Sequence, residues 1–279
     1  MSDLRRSVWL PSEALRRHAN RTATGSADVD WLTHVRRRHF TVAPRRVLVL
    51  GAGEGHLEVA LAPHFPEAEI AGVDSDAAAI GRARNRAARR GLSRVVHEVR
   101  DPGRDPLPPG PWDAVFAREV LHRITEPERL LRAVHDALAP GGRVVLSDYV
   151  GPSDPDAVPA WRDAIRRYVR VLPIGLRFDP ESGLPFARDL RSSDGGPDAA
   201  PLLETARAIF VPEGFYRGGG ALIQPLLAPG VARNLRPEGL DERLLGFLGD
   251  AEDDLRARGL VDDVFAIFVG RRRADTRVT

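Results

Sequence analysis

The sequence predicts an α/β fold built on a parallel sheet with helices on both faces. Two observations predict it. Between Arg45 and Tyr149, short apolar runs alternate with amphipathic stretches, and the apolar runs are nearly continuous, as in strands buried on both sides. Five such repeats fill about 105 residues, which leaves room only for short connections. One compact doubly wound unit is therefore expected over residues 45–150.

The strands of this unit are the β-rich apolar runs, which we place at residues 46–50, 69–73, 95–99, 113–117 and 143–148. Amphipathic periodicity predicts helices between them at residues 57–63, 77–90 and 127–139. The last of these helices meets Pro140, Gly141 and Gly142, a strong helix stop that leads directly into the fifth strand.

Two regions flank this unit. Residues 1–44 form an N-terminal helical cap with helices at 12–20 and 28–39, which we expect to pack over one edge of the sheet. Residues 151–262 form a lid region with a helix at 157–172, a Pro/Gly/Ser/Asp-rich loop at 173–201, strands at 208–211 and 215–223 and a helix at 241–258. Residues 263–279 supply a final strand at 264–269 and a basic tail.

The composition excludes several kinds of chemistry. The chain has no cysteine, which excludes disulfides, thiolate metal sites and cysteine nucleophiles. All 41 basic residues are arginine, so Schiff-base and lysine-base catalysis are excluded as well. This usage, with abundant Ala, Gly and Pro, is typical of a high-GC genome such as that of an actinobacterium.

Charge and hydropathy point to a cytoplasmic protein that binds neither membrane nor nucleic acid. The net charge is only +2, and the arginine runs at 36–38 and 271–273 lack interleaved aromatic residues, so we interpret them as solvated. No apolar run approaches the roughly 18 residues of a membrane span, and the first ten residues show no signal-peptide pattern. No His/Asp/Glu group has metal-ligand spacing. We expect a monomer or homodimer.

The most informative segment is a glycine turn that follows the first strand. It contains Gly51, Ala52, Gly53 and Gly55, and a helix begins directly after it. Such a turn brings backbone N–H groups close to a ligand that side chains would obstruct. A dinucleotide fingerprint requires its third glycine at position 56, where His56 stands instead.

A carboxylate closes the second strand at Asp74, 23 residues after Gly51. In an open α/β sheet this position lies beside the ligand crevice, where a carboxylate can accept hydrogen bonds from both ribose hydroxyls of a nucleoside. The alternative is that Asp74 caps the helix that begins near Ala77. Ser75 or Asp76 can do that equally well, which favours the ribose role.

The order of these features resembles the class I S-adenosylmethionine-dependent methyltransferases. The G-x-G-x-G turn matches their first motif, the run from Trp112 to His122 matches their fourth strand, and the stretch from Leu130 through Pro140 to Leu146 matches their helix, turn and fifth strand. The resemblance implies a Rossmann-like, seven-stranded, mostly parallel sheet with an antiparallel last strand. It also implies S-adenosyl-L-methionine as cofactor, with S-adenosyl-L-homocysteine as product, and a lid region that binds the methyl acceptor.

A narrower resemblance extends beyond the core. The sequence Asp148-Tyr-Val-Gly-Pro-Ser153 and the segment that begins Phe215-Tyr216-Arg217-Gly218 are similar to a bacterial subgroup that we associate with saccharide or natural-product gene neighbourhoods. The similarity is looser between residues 173 and 208.

The resemblance implies a set of cofactor-binding residues. These are the turn residues Gly51, Ala52, Gly53 and Gly55, then Asp74 and Ser75 at the ribose, Asp101 and Pro102 at the adenine, and Ala117, Arg118 and Glu119 beneath the adenosine or facing the acceptor. Asp101 is equally well explained as a turn residue. The sequence departs from the family at Val49, where an acid often binds the amino-acid part of the cofactor. Backbone carbonyls near Gly51 or the side chain of Glu119 are the candidate replacements.

The catalytic base must lie where strands four and five end. His122 is the first candidate, three residues past Glu119 and expected on the same helical face. Asp148, as base or acceptor ligand, and Tyr149, as a hydrogen-bonding wall, are the second candidates. Trp161, Tyr168 and Tyr216 are candidates for an aromatic acceptor pocket, although core packing explains each of them as well.

These expectations favour O-methylation of a small metabolite or natural product over N- or C-methylation. One alternative is an NAD-dependent oxidoreductase, which the missing glycine at position 56 and the absence of any Tyr-x-x-x-Lys pair disfavour. Another is a protein that binds S-adenosylmethionine without transferring its methyl group.

Overall fold

The computed structural model describes residues 12–152, 158–186, 200–227, 231, 234–235 and 240–274. These residues form two compact units. The first, called the sheet unit below, comprises the described residues of Trp31–Val150, Pro197–Tyr216 and Ala266–Thr279. The second, called the helical unit, comprises the described residues of Met1–Asp30, Gly151–Gly196 and Arg217–Phe265.

Seven strands form one sheet in the order β3-β2-β1-β4-β5-β7-β6. Their bounds are β1 Arg46–Leu50, β2 Glu69–Asp74, β3 Val95–Val99, β4 Trp112–Arg118, β5 Leu138–Tyr149, β6 Val211–Arg217 and β7 Phe265–Arg271. The pairs among β1 to β5 are parallel, with β1 between β2 and β4, so Leu48 aligns with Ala71 on one side and Val115 on the other. The carboxyl ends of these five strands therefore share one edge of the sheet.

The last strand runs against its neighbours. The N–H of Gly218, just past the end of β6, donates to the carbonyl of Phe265 at the start of β7. The N–H of Arg272, just past the end of β7, donates to Gly142 in the first half of β5. In both cases a residue near the end of one strand bonds to a residue near the start of its neighbour. Strand β7 is therefore antiparallel to β6 and β5. The predicted seven-stranded sheet with an antiparallel last strand is confirmed.

The central strands β1 and β4 are buried on both faces, as their continuous apolar runs predict. On β4, Phe116 stacks on Phe40 and lies near Phe65, with ring centroids 6.0 and 6.3 Å apart. The neighbouring Val115 and Ala117 belong to a second apolar cluster that contains residues such as Leu131, Leu146, Phe210 and Phe268. Truncating a ring such as that of Phe116 to alanine typically costs about 3–5 kcal/mol.

The helices of the sheet unit are α2 Trp31–His39, α3 His56–Leu61, α4 Ala77–Arg89, α5 Pro127–Ala137 and α7 Ala200–Ile209. Those of the helical unit are α1 Glu13–Thr24, α6 Pro159–Val169, α8 Ile223–Leu226 and α9 Leu240–Ala257. No helix in the described part of the chain is long and apolar enough to cross a membrane.

Three sequence predictions about these elements need correction. Residues 208 and 209 end α7 rather than begin a strand, because Leu202, Ala206 and Ile209 bury one helical face. The strand predicted at 215–223 begins earlier and stops at Arg217, since Gly219 and Gly220 take positive φ. The fifth strand begins at Leu138 rather than at the predicted residue 143, because pairing of Leu138 with Trp112 extends it. Ser153 and residues 187–199 of the predicted 173–201 loop lie outside the described residues.

In the arginine run at 271–273, which the sequence predicts to be solvated, Arg273 is exposed, and Arg271 and Arg272 are half-buried. Arg271 pairs with Glu213 at 2.7 Å, and Arg272 donates to the carbonyl of Leu138. Arg273 donates to the carbonyl of Ile209 at 3.1 Å. These side chains thus tie the end of β7 to its neighbours within the sheet unit.

The helical unit is organised around one buried carboxylate. Glu252 of α9 is fully buried, and its two oxygens accept hydrogen bonds from the backbone N–H groups of Gly220, Leu222 and Ile223 at 2.7–3.0 Å. His18 of α1 completes the set, with Nε2 3.1 Å from Glu252 Oε1. One carboxylate therefore joins α1 and α9 to the loop that leads into α8.

Candidate functional site

The glycine turn after β1 has backbone geometry that favours glycine. Gly51, Gly53 and Gly55 have φ values of +69°, +51° and +78°. A Cβ atom on Gly51 would lie 2.7 Å from Cβ of Val120, which follows β4. The turn therefore packs directly against the chain that leaves the neighbouring strand, and a side chain at position 51 is excluded.

Asp74 faces this turn from the end of β2. Its Oδ2 accepts the N–H of Gly53 at 2.8 Å, and its Oδ1 accepts the N–H of Asp76 at 2.9 Å. Asp76 caps α4 by accepting the N–H groups of Ala78 and Ala79. The half-buried carboxylate of Asp74 is thus not used as the helix cap and lies at the edge of the turn, beside the exposed Ser75.

The segment after β3 forms a tight turn. Asp101 Oδ1 accepts the N–H of Gly103 at 2.8 Å, and the N–H of Asp101 donates to Asp105 Oδ2 at 2.9 Å. The neighbouring Pro102 is buried. Asp101 therefore holds its own turn, as one of the two sequence interpretations expects, and its role toward an adenine stays a prediction.

Backbone strain marks the end of β4. Among the described residues other than glycine, Glu119 alone has a positive φ, +52°. Its N–H donates to the carbonyl of Ser147 on β5 at 2.8 Å, and its carboxylate lies 3.2 Å from Nε of the exposed Arg118. Non-glycine residues held in this conformation cost roughly 1–3 kcal/mol and cluster at functional sites. Ala117 is buried in the core, and so is Val49 on β1.

His122 and Asp148 form a hydrogen-bonded dyad at the ends of β4 and β5. His122 Nδ1 lies 2.5 Å from Asp148 Oδ1, and the Asp148 side chain is 2% exposed. The same carboxylate accepts the backbone N–H groups of Val120, Leu121 and Tyr149 at 2.7–3.1 Å. With all these donors directed at it, Asp148 is an acceptor for the proton on Nδ1.

The opposite nitrogen of His122 is therefore the one with a lone pair. Nε of Arg123 lies 3.3 Å from His122 Nε2 and donates to it, which agrees with this tautomer. The ring of Tyr149 stands edge-on to that of His122, with centroids 6.4 Å apart. The sequence gives no signal that would identify Arg123 as a neighbour of this nitrogen.

The expectation that Glu119 and His122 share a helical face is wrong. His122 lies in a single 3-10 turn, Leu121–Arg123, whereas Glu119 precedes that turn in a left-handed conformation. The strained residue thus redirects the chain between the two side chains.

The three aromatic candidates for an acceptor pocket fall in different units. In the helical unit, Trp161 is buried and donates to the carbonyl of Ala221, and Tyr168 lies 6.3 Å from the ring of Phe247. In the sheet unit, Tyr216 lies on β6, and its hydroxyl is 2.6 Å from Nε2 of His39. Burial raises the pKa of Tyr216 and lowers the pKa of His39, so both groups are kept neutral.

A metal site is not built from the residues that the structure describes, since no three His, Asp or Glu side chains come together among them. The site therefore consists of a glycine turn, a carboxylate at its edge and a His–Asp dyad, all at the carboxyl ends of β1, β2, β4 and β5.

The chain is similar in sequence to known methyltransferases. Residues 48–144 match a family model described as a methyltransferase domain. A demethylmenaquinone methyltransferase of Thermus thermophilus is 33% identical over 133 residues, which cover 48% of this chain and 60% of that protein. A malonyl-[acyl-carrier protein] O-methyltransferase of Legionella pneumophila is 27% identical over 57% of this chain and 56% of its own length. The chain spans at most about three fifths of these relatives.

The fold is shared with solved structures. The crystal structure of the [4+2]-cyclase SpnF superposes with a TM-score of 0.52 and 20% identity, covering 88% of this chain and 84% of its own. At that identity the likeness concerns the fold alone. The matched domain, these relatives and this strand order support the predicted resemblance to class I S-adenosylmethionine-dependent methyltransferases.

Proposed function

We propose that this chain transfers a methyl group from S-adenosylmethionine to an oxygen atom of a small metabolite or natural product. The observation that carries the proposal is the His122–Asp148 dyad, because it leaves a basic ring nitrogen at the sheet edge that also carries the glycine turn. Removing a proton from a hydroxyl is the task that O-methylation adds to positioning.

The cofactor site fits a nucleoside. In the proposal, the carboxylate of Asp74 at the edge of the glycine turn accepts the two ribose hydroxyls in addition to the N–H of Gly53. Ala52 and Gly53 supply the backbone of the turn, and Ala117 and Arg118 continue the site at the end of β4. When bound, S-adenosylmethionine supplies an electrophilic methyl group.

In this proposal His122 is the catalytic base, and its Nε2 takes the proton of the acceptor hydroxyl. Asp148 is a positioning residue. Its carboxylate is almost fully buried and already accepts three backbone N–H groups, so its contribution is to hold the Nδ1 proton and stabilise the imidazolium that forms. Tyr149 forms a wall beside the ring.

Oxygen is the favoured acceptor atom for two reasons. A hydroxyl needs a base for its proton, a role proposed for His122 Nε2 once the acceptor replaces Arg123 as its hydrogen-bond donor, whereas an unprotonated amine requires none before attack. The Legionella relative is named as an O-methyltransferase. The second candidate function is binding of S-adenosylmethionine without methyl transfer, which is kept because a protein of the same fold bears the name of a cyclase.

Calorimetry tests the cofactor assignment. We expect S-adenosylmethionine and S-adenosylhomocysteine to bind and NAD not to bind. Asp74→Asn should lower the affinity for both compounds by about 10- to 100-fold, because hydrogen bonds to a charged acceptor are lost. Asp76→Asn, two residues away, is the matched control, since asparagine caps a helix as well as aspartate does. Binding of NAD, or equal affinity in Asp74→Asn, would contradict the assignment. Mass gain of one methyl group in small molecules of a host extract then separates methyl transfer from binding alone.

Glu119 is proposed to meet the amino-acid part of the cofactor in place of the missing acid at Val49. Glu119→Gln should weaken the binding of S-adenosylhomocysteine by about tenfold. The binding of 5′-methylthioadenosine, which lacks the amino-acid part, should stay unchanged. Glu119→Gly relieves the strained backbone and should weaken binding as much as the glutamine variant does. Full affinity in the glycine variant would instead show that only the shape of this segment matters.

A further inference from the structure

A second pair of ionisable side chains lies beneath the glycine turn and has no part in the proposed chemistry. Glu58, in the first turn of α3, and His97, on β3, are almost completely buried, with side chains 0% and 1% exposed. Oε1 of Glu58 lies 3.7 Å from Nε2 of His97. Charged groups are seldom buried so completely without a specific arrangement around them.

The pair occupies space that is available because two neighbouring residues are glycines without side chains. A Cβ atom on Gly72 of β2 would lie 2.1 Å from Glu58 Oε1, 2.9 Å from His97 Cδ2 and 3.0 Å from Cβ of Ala52. Glu58 and His97 therefore meet Ala52, a residue of the cofactor turn, over the same glycine. A second glycine shows the same closeness, since a Cβ on Gly55 would lie 3.0 Å from His97 Nε2.

The electrostatics favour a pair that acts as one unit. Burial, and then the charge of Arg84 on α4, lower the pKa of His97. Arg84 itself donates to the backbone carbonyl of His97 at 2.9 and 3.1 Å. A dry carboxyl group and a dry imidazole are each costly to charge alone, so the state of either one depends on its neighbour.

We infer that Glu58 and His97 are positioning residues that support the glycine turn from below and so set its affinity for the nucleoside ligand. The pair fills the gap between α3, β2 and β3 on which Ala52 and Gly55 rest, and the N–H of Gly53 is presented from that support. For ligand affinity this inference rests on the proposed function, whereas the order of the turn can be measured without ligand.

The experiment combines amide hydrogen exchange of the ligand-free chain with S-adenosylhomocysteine calorimetry. Glu58→Gln and His97→Gln should each speed exchange at residues 51–59 and weaken binding by about tenfold, with exchange in β4 and β5 unchanged. Because the pair acts as a unit, the double variant should lose no more affinity for S-adenosylhomocysteine than either single variant does. Glu98→Gln is the matched control, since that carboxylate is exposed and pairs with Arg100.

Three results would overturn the inference. The first is a loss of affinity in the double variant that equals the sum of the losses in the single variants. The others are amide exchange in the variants that rises uniformly over the chain, or that stays unchanged at residues 51–59. If the wild-type chain binds no S-adenosylhomocysteine, the proposed function fails, and the exchange arm still decides whether the pair supports the turn.

Discussion

Replacing His122 by glutamine is expected to lower the rate of methyl transfer by about 10²- to 10⁴-fold, the usual contribution of a positioned general base. Glutamine keeps much of the side-chain volume but cannot take a proton. Since His122 is not proposed to bind the cofactor, the affinity for S-adenosylhomocysteine should stay the same. Methylated product from a host-extract fraction, quantified by mass spectrometry, and calorimetry on the same preparation measure the two quantities.

A second variant, Asp148→Asn, tests the same dyad by changing which nitrogen of His122 carries the proton. Its amide oxygen can still accept the N–H groups of Val120 and Leu121, but its NH₂ group then faces Nδ1 of His122 and donates to it. The imidazole proton is forced onto Nε2, which removes the basic lone pair, so we expect a loss of rate of the same order as in His122→Gln. His135→Gln, on α5, is the control. A dyad variant that keeps the wild-type rate, or loses cofactor affinity and rate in equal measure, would contradict the assignment.

Glu252→Ala is expected to lower the free energy of unfolding by about 3–5 kcal/mol, as for other buried charged groups that lose one partner. The substitution leaves the backbone N–H groups of Gly220, Leu222 and Ile223 without their acceptor and His18 without its carboxylate. Glu252→Gln should cost less, about 1–3 kcal/mol, because one oxygen remains. Urea unfolding followed by tryptophan fluorescence measures both variants.

The control lies on the same helix. Asp254 is exposed and pairs with Arg258 one turn further along α9, so Asp254→Asn should change the free energy of unfolding by less than about 1 kcal/mol. A loss in Glu252→Ala no larger than in this control would show that the buried carboxylate does not hold the helical unit together.

The contribution of Glu252 should also depend on pH. Burial raises its pKa, but the hydrogen bond and charge of His18 and the N–H groups of Ile223 and Gly220 outweigh burial, and the net pKa is lowered. A carboxyl group with a lowered folded-state pKa stabilises the fold above its unfolded pKa, and that stabilisation is lost as the pH falls through the folded value. The stability difference between wild type and Glu252→Gln should therefore be largest near neutrality and shrink on acidification.

The local parts of the fold follow directly from the sequence. The bounds of β1 agree with the apolar run at 46–50, because burial of a whole strand leaves its mark in consecutive residues. The bounds of the edge strand β3 agree with the run at 95–99, although Val96, Glu98 and Val99 are exposed. The glycine turn and Asp74 are likewise local features, since the turn conformation requires glycine and the end of a parallel strand has a defined place in the sheet. Helix α7 was not predicted and β5 begins earlier than predicted, because packing of a helical face and pairing across a bulge with β4 decide these elements.

The sequence by itself determined which side chains reach the carboxyl edge of the sheet, but not what each does there. His122 and Asp148 were both candidates for the base, and only their hydrogen bond, across 26 residues of chain, separates the nitrogen with a lone pair from the carboxylate that orients it. Glu58 and His97 have no signature in the sequence at all, since their contact arises where a helix and two strands close over one glycine. Periodicity records the burial of a single element, whereas the partner that a polar side chain meets is decided only when distant elements pack together.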